Sequence, residues 1–321
     1  MSSDRDNILE VTNLVKYFPV KGEAGAAVHA VDDVTFSVRR GEVMGLVGES
    51  GCGKSTCART IVRIYKPQSG RIVIDGIDFS VRKERELHPL RRKVQMVFQD
   101  PYSSMNARMT VRDIVAEPLI AHRLCGSKGE IDDAAARMLE AVGLSRVHLD
   151  RYPHEFSGGQ RQRICIARAL VMKPEMIICD EPISALDVSI QAQIVNMLLD
   201  FKELYGLTYL FIAHDLSMVR YISDVVGVMY LGRLVEVCPA GEIYSHPLHP
   251  YTQGLLRAVP IPKRGAAKNE RSIEGSIPSS THPPPGCRFH TRCRHRMKRC
   301  EEESPVLTSL GGKRSVACHL Y

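Results

Sequence analysis

VMGLVGESGCGKST, residues 43–56, decides the fold. Its first five residues are an unbroken apolar run, the pattern of a strand buried on both faces. Gly48, Gly51 and Gly53 then let successive backbone N–H groups turn inward, and the helical run that follows offers its positive end to an anion. In that setting Ser50, Cys52 and Thr56 complete a phosphate-binding loop. Lys54 reaches the β- and γ-phosphates of a nucleotide and the Ser55 hydroxyl ligates Mg²⁺. A glycine-rich strand-to-helix turn with an incidental lysine is the plainer reading, and the strand before and helix after disfavour it.

The next informative stretch downstream is MIICDE, 176–181, where an apolar strand ends in two carboxylates. Asp180 can hold the magnesium shell, while Glu181 can polarise a water for attack on the γ-phosphate. A binder needs only the first, so the pair predicts hydrolysis. Two further apolar runs, TYLFIA (208–213) and VVGVMY (225–230), complete an expected parallel core sheet. ILEV (8–11), VTFSV (34–38) and RIVIDGIDF (71–79), the last turning at Asp75-Gly76, predict an N-terminal antiparallel β subdomain. Between about 101 and 171 the apolar spacing becomes three and four residues, which predicts an inserted helical subdomain. The fold class expected is therefore α/β, a P-loop NTPase core with these two additions.

Composition narrows the setting. The chain has 321 residues, 44% hydrophobic and 25% charged, the balance of a folded globular protein. No apolar run approaches the roughly 18 residues of a membrane span, and MSSDRDNILE has no signal-peptide pattern. A cytoplasmic location is expected, with membrane contact through a partner. The net charge of +7 is concentrated: residues 286–321 carry eight Lys/Arg against three Glu. Only one aromatic, Phe289, lies among the six basic residues of 288–299, a poor platform for stacking bases, so no nucleic-acid partner is expected. The ten cysteines of a cytosolic chain are not read as disulfides.

FSGGQRQR, 156–163, is specific. Ser157 is a natural N-cap and Gly158-Gly159 permit close backbone approach at a second anion-binding helix start. The segment resembles the signature motif of ABC ATPases, and the resemblance extends over nearly the whole chain. It implies that Ser157, Gly158, Gly159 and Gln160 face an ATP held by an opposing subunit, with two nucleotides sandwiched head to tail. It further implies that Gln99 in VFQDP is the Q-loop glutamine sensing Mg²⁺ and water. Ser184-Ala185-Leu186-Asp187 matches the D-loop, and His214 the switch histidine on the γ-phosphate. Phe18 or Tyr17 in VKYFPV would stack on adenine, with Phe18 fitting the usual spacing better. An inserted coiled coil, as in chromosome-type ABC ATPases, has no room in the hundred or so residues between Ser55 and Ser157. A second cassette, as in translation-type members, is also missing from the sequence.

HPLHPYTQGLL (246–256), with PPPGC and the cysteines beyond it, resembles the C-terminal extension of ATPases in dipeptide, oligopeptide and nickel importers. That predicts an ABC ATPase domain over 1–240 and an extension over 241–321. It implies a second, homologous ATPase subunit, two membrane permease subunits and an extracytoplasmic substrate-binding protein, with small peptides the first expectation for cargo and nickel the second. Cys287, Cys293, Cys300 and Cys318 are separated by five, six and seventeen intervening residues, without the paired C-x2-C of common zinc sites. Zinc and free thiols stay open on spacing alone. The related importer subunits carry a [4Fe-4S] cluster at matching cysteines, its negative charge offset here by Arg288, Arg292, Arg294 and Arg299. Such a cluster would fold a proline-rich tail expected to lack an apolar core of its own.

Overall fold

Each apolar run expected as a core strand is one. The computed structural model describes residues 6–23, 25–184, 186–258 and 273–321. It opens with β1 (Asn7–Pro19) and β2 (Ala27–Arg39), then β3 (Val43–Val47), the phosphate loop and α1 (Lys54–Ile61). There follow β4 (Ser69–Ile74), β5 (Ile77–Asp78), α2 (Glu84–Leu90) and β6 (Val94–Val97). The helical stretch holds α3 (Val111–Ala121), α4 (Lys128–Ala141) and α5 (Gly158–Leu170). Strands and helices then alternate: β7 (Met176–Asp180), α6 (Val188–Tyr205), β8 (Thr208–Ile212), α7 (Leu216–Ile222), β9 (Val225–Tyr230) and β10 (Arg233–Pro239). The last elements are α8 (Ala240–Ser245), α9 (Pro250–Arg257), α10 (Lys298–Glu302), β11 (Thr308–Gly311) and β12 (Arg314–Val316).

These elements form two compact units that alternate along the chain. The first takes the described residues through Leu9, Val38–Gly41 and Ile74–Phe211; the second takes Glu10–Ser37, Glu42–Val73 and Ile212–Tyr321. In the first, β6 and β7 pair in parallel from Val94↔Met176 to Val97↔Cys179, and β8 lies on the other side of β7. All five residues of β7 are buried, Asp180 among them. Helix α3 packs on α4 and α5 through Ile114, Val115, Leu119, Ala135, Ala136 and Leu139. Each of these helices starts where the sequence supplies a hydroxyl: Thr110, Ser127 and Ser157 accept from the N–H groups of Asp113, Glu130 and Gln160.

In the second unit, β3 runs parallel to β9, from Met44↔Val225 to Val47↔Val228. Strand β10 then turns back antiparallel on β9, and β12 pairs antiparallel with β10, so the order is β11-β12-β10-β9-β3. A second sheet in the order β2-β1-β4 belongs to the expected N-terminal β subdomain. The two opening strands are 13 residues each, longer than the short runs that announced them.

The tail differs most from expectation, because it shares an apolar core with the rest of its unit. Phe289, Cys300, Val316 and Ala317 are buried. The Phe289 ring meets Tyr230 edge-on at 5.2 Å and lies 5.4 Å from Tyr251 and 5.7 Å from His249. Gly311-Gly312, between TSL and RSV, is the hairpin signal that joins β11 to β12. The HPLHPY segment is fixed by one buried carboxylate on β10: Glu236 accepts the N–H groups of Leu248 and His249, each at 2.9 Å. His249 Nδ1 then accepts the Tyr251 N–H at 3.0 Å and caps α9, with Pro250 in its first turn.

Burial holds the His249 imidazole neutral and pushes its pKa down to about 3 from 6.5. The unfolded chain takes up that proton first as pH falls. Stability from the neutral ring is therefore complete above about pH 6.5 and lost progressively between about 6.5 and about 3. His249→Asn keeps a capping acceptor but does not titrate. Between about pH 7.5 and about pH 5, urea unfolding should show the native chain losing about 2 kcal/mol more than His249→Asn. Equal losses would place the proton on His249 in the folded chain.

Candidate functional site

The residues singled out in the sequence fall into two groups, one in each unit. In the second unit, β3 delivers the chain into the phosphate loop, and Gly53 opens the turn into α1 with φ 107°. A Cβ at Gly53 would fall 1.9 Å from the Ala30 carbonyl oxygen, so only glycine fits. Lys54 is buried at 4% exposure, its ammonium donating to the carbonyls of Gly48 at 2.8 Å and Glu49 at 3.2 Å. Ser55 and Thr56 lie half-buried on the first turn of α1, beyond Gly51 and the buried Cys52. Burial raises the Cys52 thiol above its ordinary pKa, so it packs as a neutral side chain.

The Ala213 N–H donates to the Leu46 carbonyl at 3.2 Å, so the chain carrying His214 leaves alongside the strand that feeds the loop. His214 is exposed. The two aromatic candidates separate. Tyr17 is already engaged, its ring stacked on His29 at 4.1 Å and its hydroxyl bonded to Asp32. Burial, then the bond to Asp32, pushes its pKa up to about 12. Phe18 meets Tyr65 edge-on at 5.2 Å and carries the Lys16 ammonium 4.9 Å from its ring centre.

In the first unit, Asp180 ends β7 fully buried, and Glu181 follows with φ 47°. That left-handed backbone is costly for a residue with a side chain and is characteristic of functional positions. Gln99 Nε2 donates to Glu181 Oε2 at 2.9 Å, which brings together two positions 82 apart in the sequence. A carboxylate oriented by an amide donor is a group that can polarise a water. Beyond Gln99 the chain anchors to the helix carrying the signature motif. Arg168 donates to the Ser104 carbonyl at 2.6 Å, and the Arg161 guanidinium lies 5.4 Å over the Tyr102 ring.

Ser157 and Gln160 form a reciprocal cap at the start of α5, with Ser157 N–H to Gln160 Oε1 at 3.0 Å and Gln160 N–H to Ser157 Oγ at 3.3 Å. A Cβ on Gly158 would touch Leu186 at 3.4 Å, and one on Gly159 would meet Ile190 at 2.6 Å. The glycines thus let α5 seat against the start of α6, where Asp187 is the N-cap residue. Gln191 donates to the carbonyls of Ile183 and Leu186, each at 3.0 Å, and holds the D-loop. Ala185 of that loop lies outside the described residues.

The tail corrects one expectation. The four arginines expected to offset a cluster each pair with a carboxylate: Arg288 with Asp32, Arg292 with Glu49, Arg294 with Glu274 and Arg299 with Glu303. Their charge is committed to those partners rather than reserved for the thiols. Cys287, Cys293, Cys300 and Cys318 form no disulfide. Burial, followed by the nearness of the other three, pushes Cys287 up to about 11. Cys293 and Cys318 are raised first by burial and then by neighbouring thiols. Among the described residues no group of three or more His, Cys, Asp or Glu converges as a site for a metal ion. Sequence reading missed Glu49 and Asp32 as partners of this region, because no local pattern links positions over two hundred residues apart.

Comparison with known proteins agrees with this geometry. The family profile described as "ABC transporter" matches residues 31–184, and "Oligopeptide/dipeptide transporter, C-terminal region" matches 235–300. The chain is 50% identical over 327 residues to the oligopeptide transport ATP-binding protein AppF of Bacillus subtilis, covering 100% of this chain and 99% of that protein. It is 55% identical to OppF of the same organism, covering 82% and 86%. Among solved structures it resembles the ATP-binding cassette MJ0796, a dimer in a post-hydrolysis state bound to ADP and Pi. That match has TM-score 0.66 and 29% identity over 72% of this chain and 98% of the other. No described helix is long and apolar enough to cross a membrane. A phosphate loop, a carboxylate pair at a strand end, a signature helix and the matching C-terminal region together place this chain in the ABC transporter ATP-binding proteins of the oligopeptide/dipeptide type.

Proposed function

We propose that the chain is the ATP-hydrolysing motor of a small-peptide importer. The observation that carries hydrolysis is the Gln99–Glu181 bond beside buried Asp180, which presents a water-polarising carboxylate at the end of β7. Lys54 and the loop N–H groups bind the phosphates, Ser55 supplies a hydroxyl to Mg²⁺, and Asp180 and Gln99 serve its coordination shell. His214 contacts the γ-phosphate and Phe18 stacks on adenine; the engagement of Tyr17 with His29 and Asp32 supports that choice. Ser157, Gly158, Gly159, Gln160 and Asp187 serve the nucleotide of an opposing, homologous ATPase. Two permease subunits and an extracytoplasmic binding protein complete the importer, and the chain acts peripherally at the cytoplasmic face of the membrane. The peptide cargo is supported by the relatives named for oligopeptide transport and by the matching C-terminal region. The same matches support a cassette over 1–240 and an extension over 241–321.

The four tail cysteines are proposed to hold a [4Fe-4S] cluster. The four sulfur donors Cys287, Cys293, Cys300 and Cys318 are of the kind that iron–sulfur clusters and soft metals take, which supports this reading, and zinc is the alternative. When bound, the group would add a structural cross-link and draw protons off the thiols. The Cys287 N–H bond to the Cys300 carbonyl at 2.8 Å, which joins two of the four segments, supports this reading.

Glu181→Gln should cut ATP turnover at least about a hundredfold in the assembled transporter while nucleotide affinity stays within about twofold. Lys54→Ala should lose binding itself. Equal turnover of Glu181→Gln and the native chain would remove Glu181 from the chemistry. For the tail, anaerobic purification should give brown protein with about four irons per chain and a broad absorbance near ~400 nm, both lost in Cys293→Ser. Stoichiometric zinc without that absorbance would overturn the cluster.

A further inference from the structure

Glu49 is the second residue of the phosphate loop, and every polar group it has is taken. Its N–H donates to the Tyr251 hydroxyl on α9 at 2.8 Å, and its carbonyl accepts from Lys54 at 3.2 Å. Its carboxylate is gripped by both prongs of Arg292, Nη1 to Oε2 at 2.7 Å and Nη2 to Oε1 at 3.0 Å. The Arg292 side chain is only 5% exposed and that of Glu49 23%, so water screens the pair poorly. The guanidinium is held from other sides as well. Nη1 reaches the Tyr230 hydroxyl at 3.4 Å, Nε reaches the Glu274 carbonyl at 3.3 Å, and the group lies 5.8 Å from the centre of the Tyr230 ring.

A carboxylate at this place opposes the loop's task, since the loop's N–H groups must receive a polyanion. We infer that Arg292 is a positioning residue for nucleotide binding: the cysteine-bearing tail lends it to the phosphate loop, where it neutralises Glu49 and holds that residue's backbone in place. The tail is then part of the nucleotide site's electrostatics. A planar, two-pronged contact is what arginine provides and lysine does not, so the position is specific to arginine.

The sign of the effect in a double substitution separates this role from general support of the tail. Nucleotide affinity of the full-length chain would be read by titration with a fluorescent ATP analogue and Mg²⁺. Arg292→Gln leaves the Glu49 charge unopposed and should weaken binding roughly tenfold, with Arg292→Lys recovering only part. Glu49→Gln combined with Arg292→Gln removes both charges and should return affinity to within about threefold of the native chain. In steady-state turnover the Arg292→Gln defect should raise KM and leave kcat unchanged. Unchanged affinity in Arg292→Gln would overturn the inference. So would a double variant as weak as Arg292→Gln alone, because a tail that merely loosens is not repaired by a change in the loop.

Discussion

The bond from the Lys54 ammonium to the carbonyls of Gly48 and Glu49 closes the phosphate loop on itself, and much of the second unit is arranged so that this closure holds. A loop that presents N–H groups to an anion must turn its carbonyls elsewhere, and Lys54 receives two of them. The strand behind it is buried along its whole length, which fixes where the loop begins. The Ala30 carbonyl lies so close to Gly53 that the exit into α1 is fixed too. What is left adjustable is Glu49, and there the chain brings in α9 and the tail.

The first unit solves a different problem, that of presenting a charge rather than receiving one. A carboxylate acts on water only if it stays ionised and aimed. Asp180 is buried by the strand, whereas the left-handed backbone at Glu181 carries the next carboxylate out of the strand's alternation. Gln99 then takes one of its oxygens. The signature helix and the D-loop are locked to one another through Gly159 and Gln191, so two segments assigned to an opposing nucleotide share a rigid support.

Much of this was legible in the sequence, for reasons that differ from place to place. The strands of 43–47 and 176–180 were read correctly because burial on both faces leaves an unbroken apolar run. The helix start at Ser157 was read from its hydroxyl cap, whereas the caps at Thr110 and Ser127 emerge from the structure. Sequence reading picked out Gln99 and Glu181 separately, but their hydrogen bond, across 82 positions, was not legible from local spacing. The tail was the hardest part, because its Arg292 and Arg288 looked like counter-charge for nearby thiols. Their actual partners, Glu49 and Asp32, are over two hundred residues away and carry no periodic signal. Phe289 was read as an isolated aromatic, yet it is the centre of a cluster with Tyr230 and Tyr251.

The alternation of the two units along the chain bears on how the protein is made. The second unit owns the phosphate loop, which emerges from the ribosome early, but it also needs everything from Ile212 onward. Between Val73 and Ile212 most of the first unit is synthesised, a delay on the order of ten to thirty seconds at about 5–20 residues per second. During that interval β3 and its neighbours have no β9 to pair with. The nascent chain therefore carries an apolar strand short of its β9 partner while the first unit is made, and a chaperone that shields residues 43–47 would act at this stage of synthesis rather than on the finished protein.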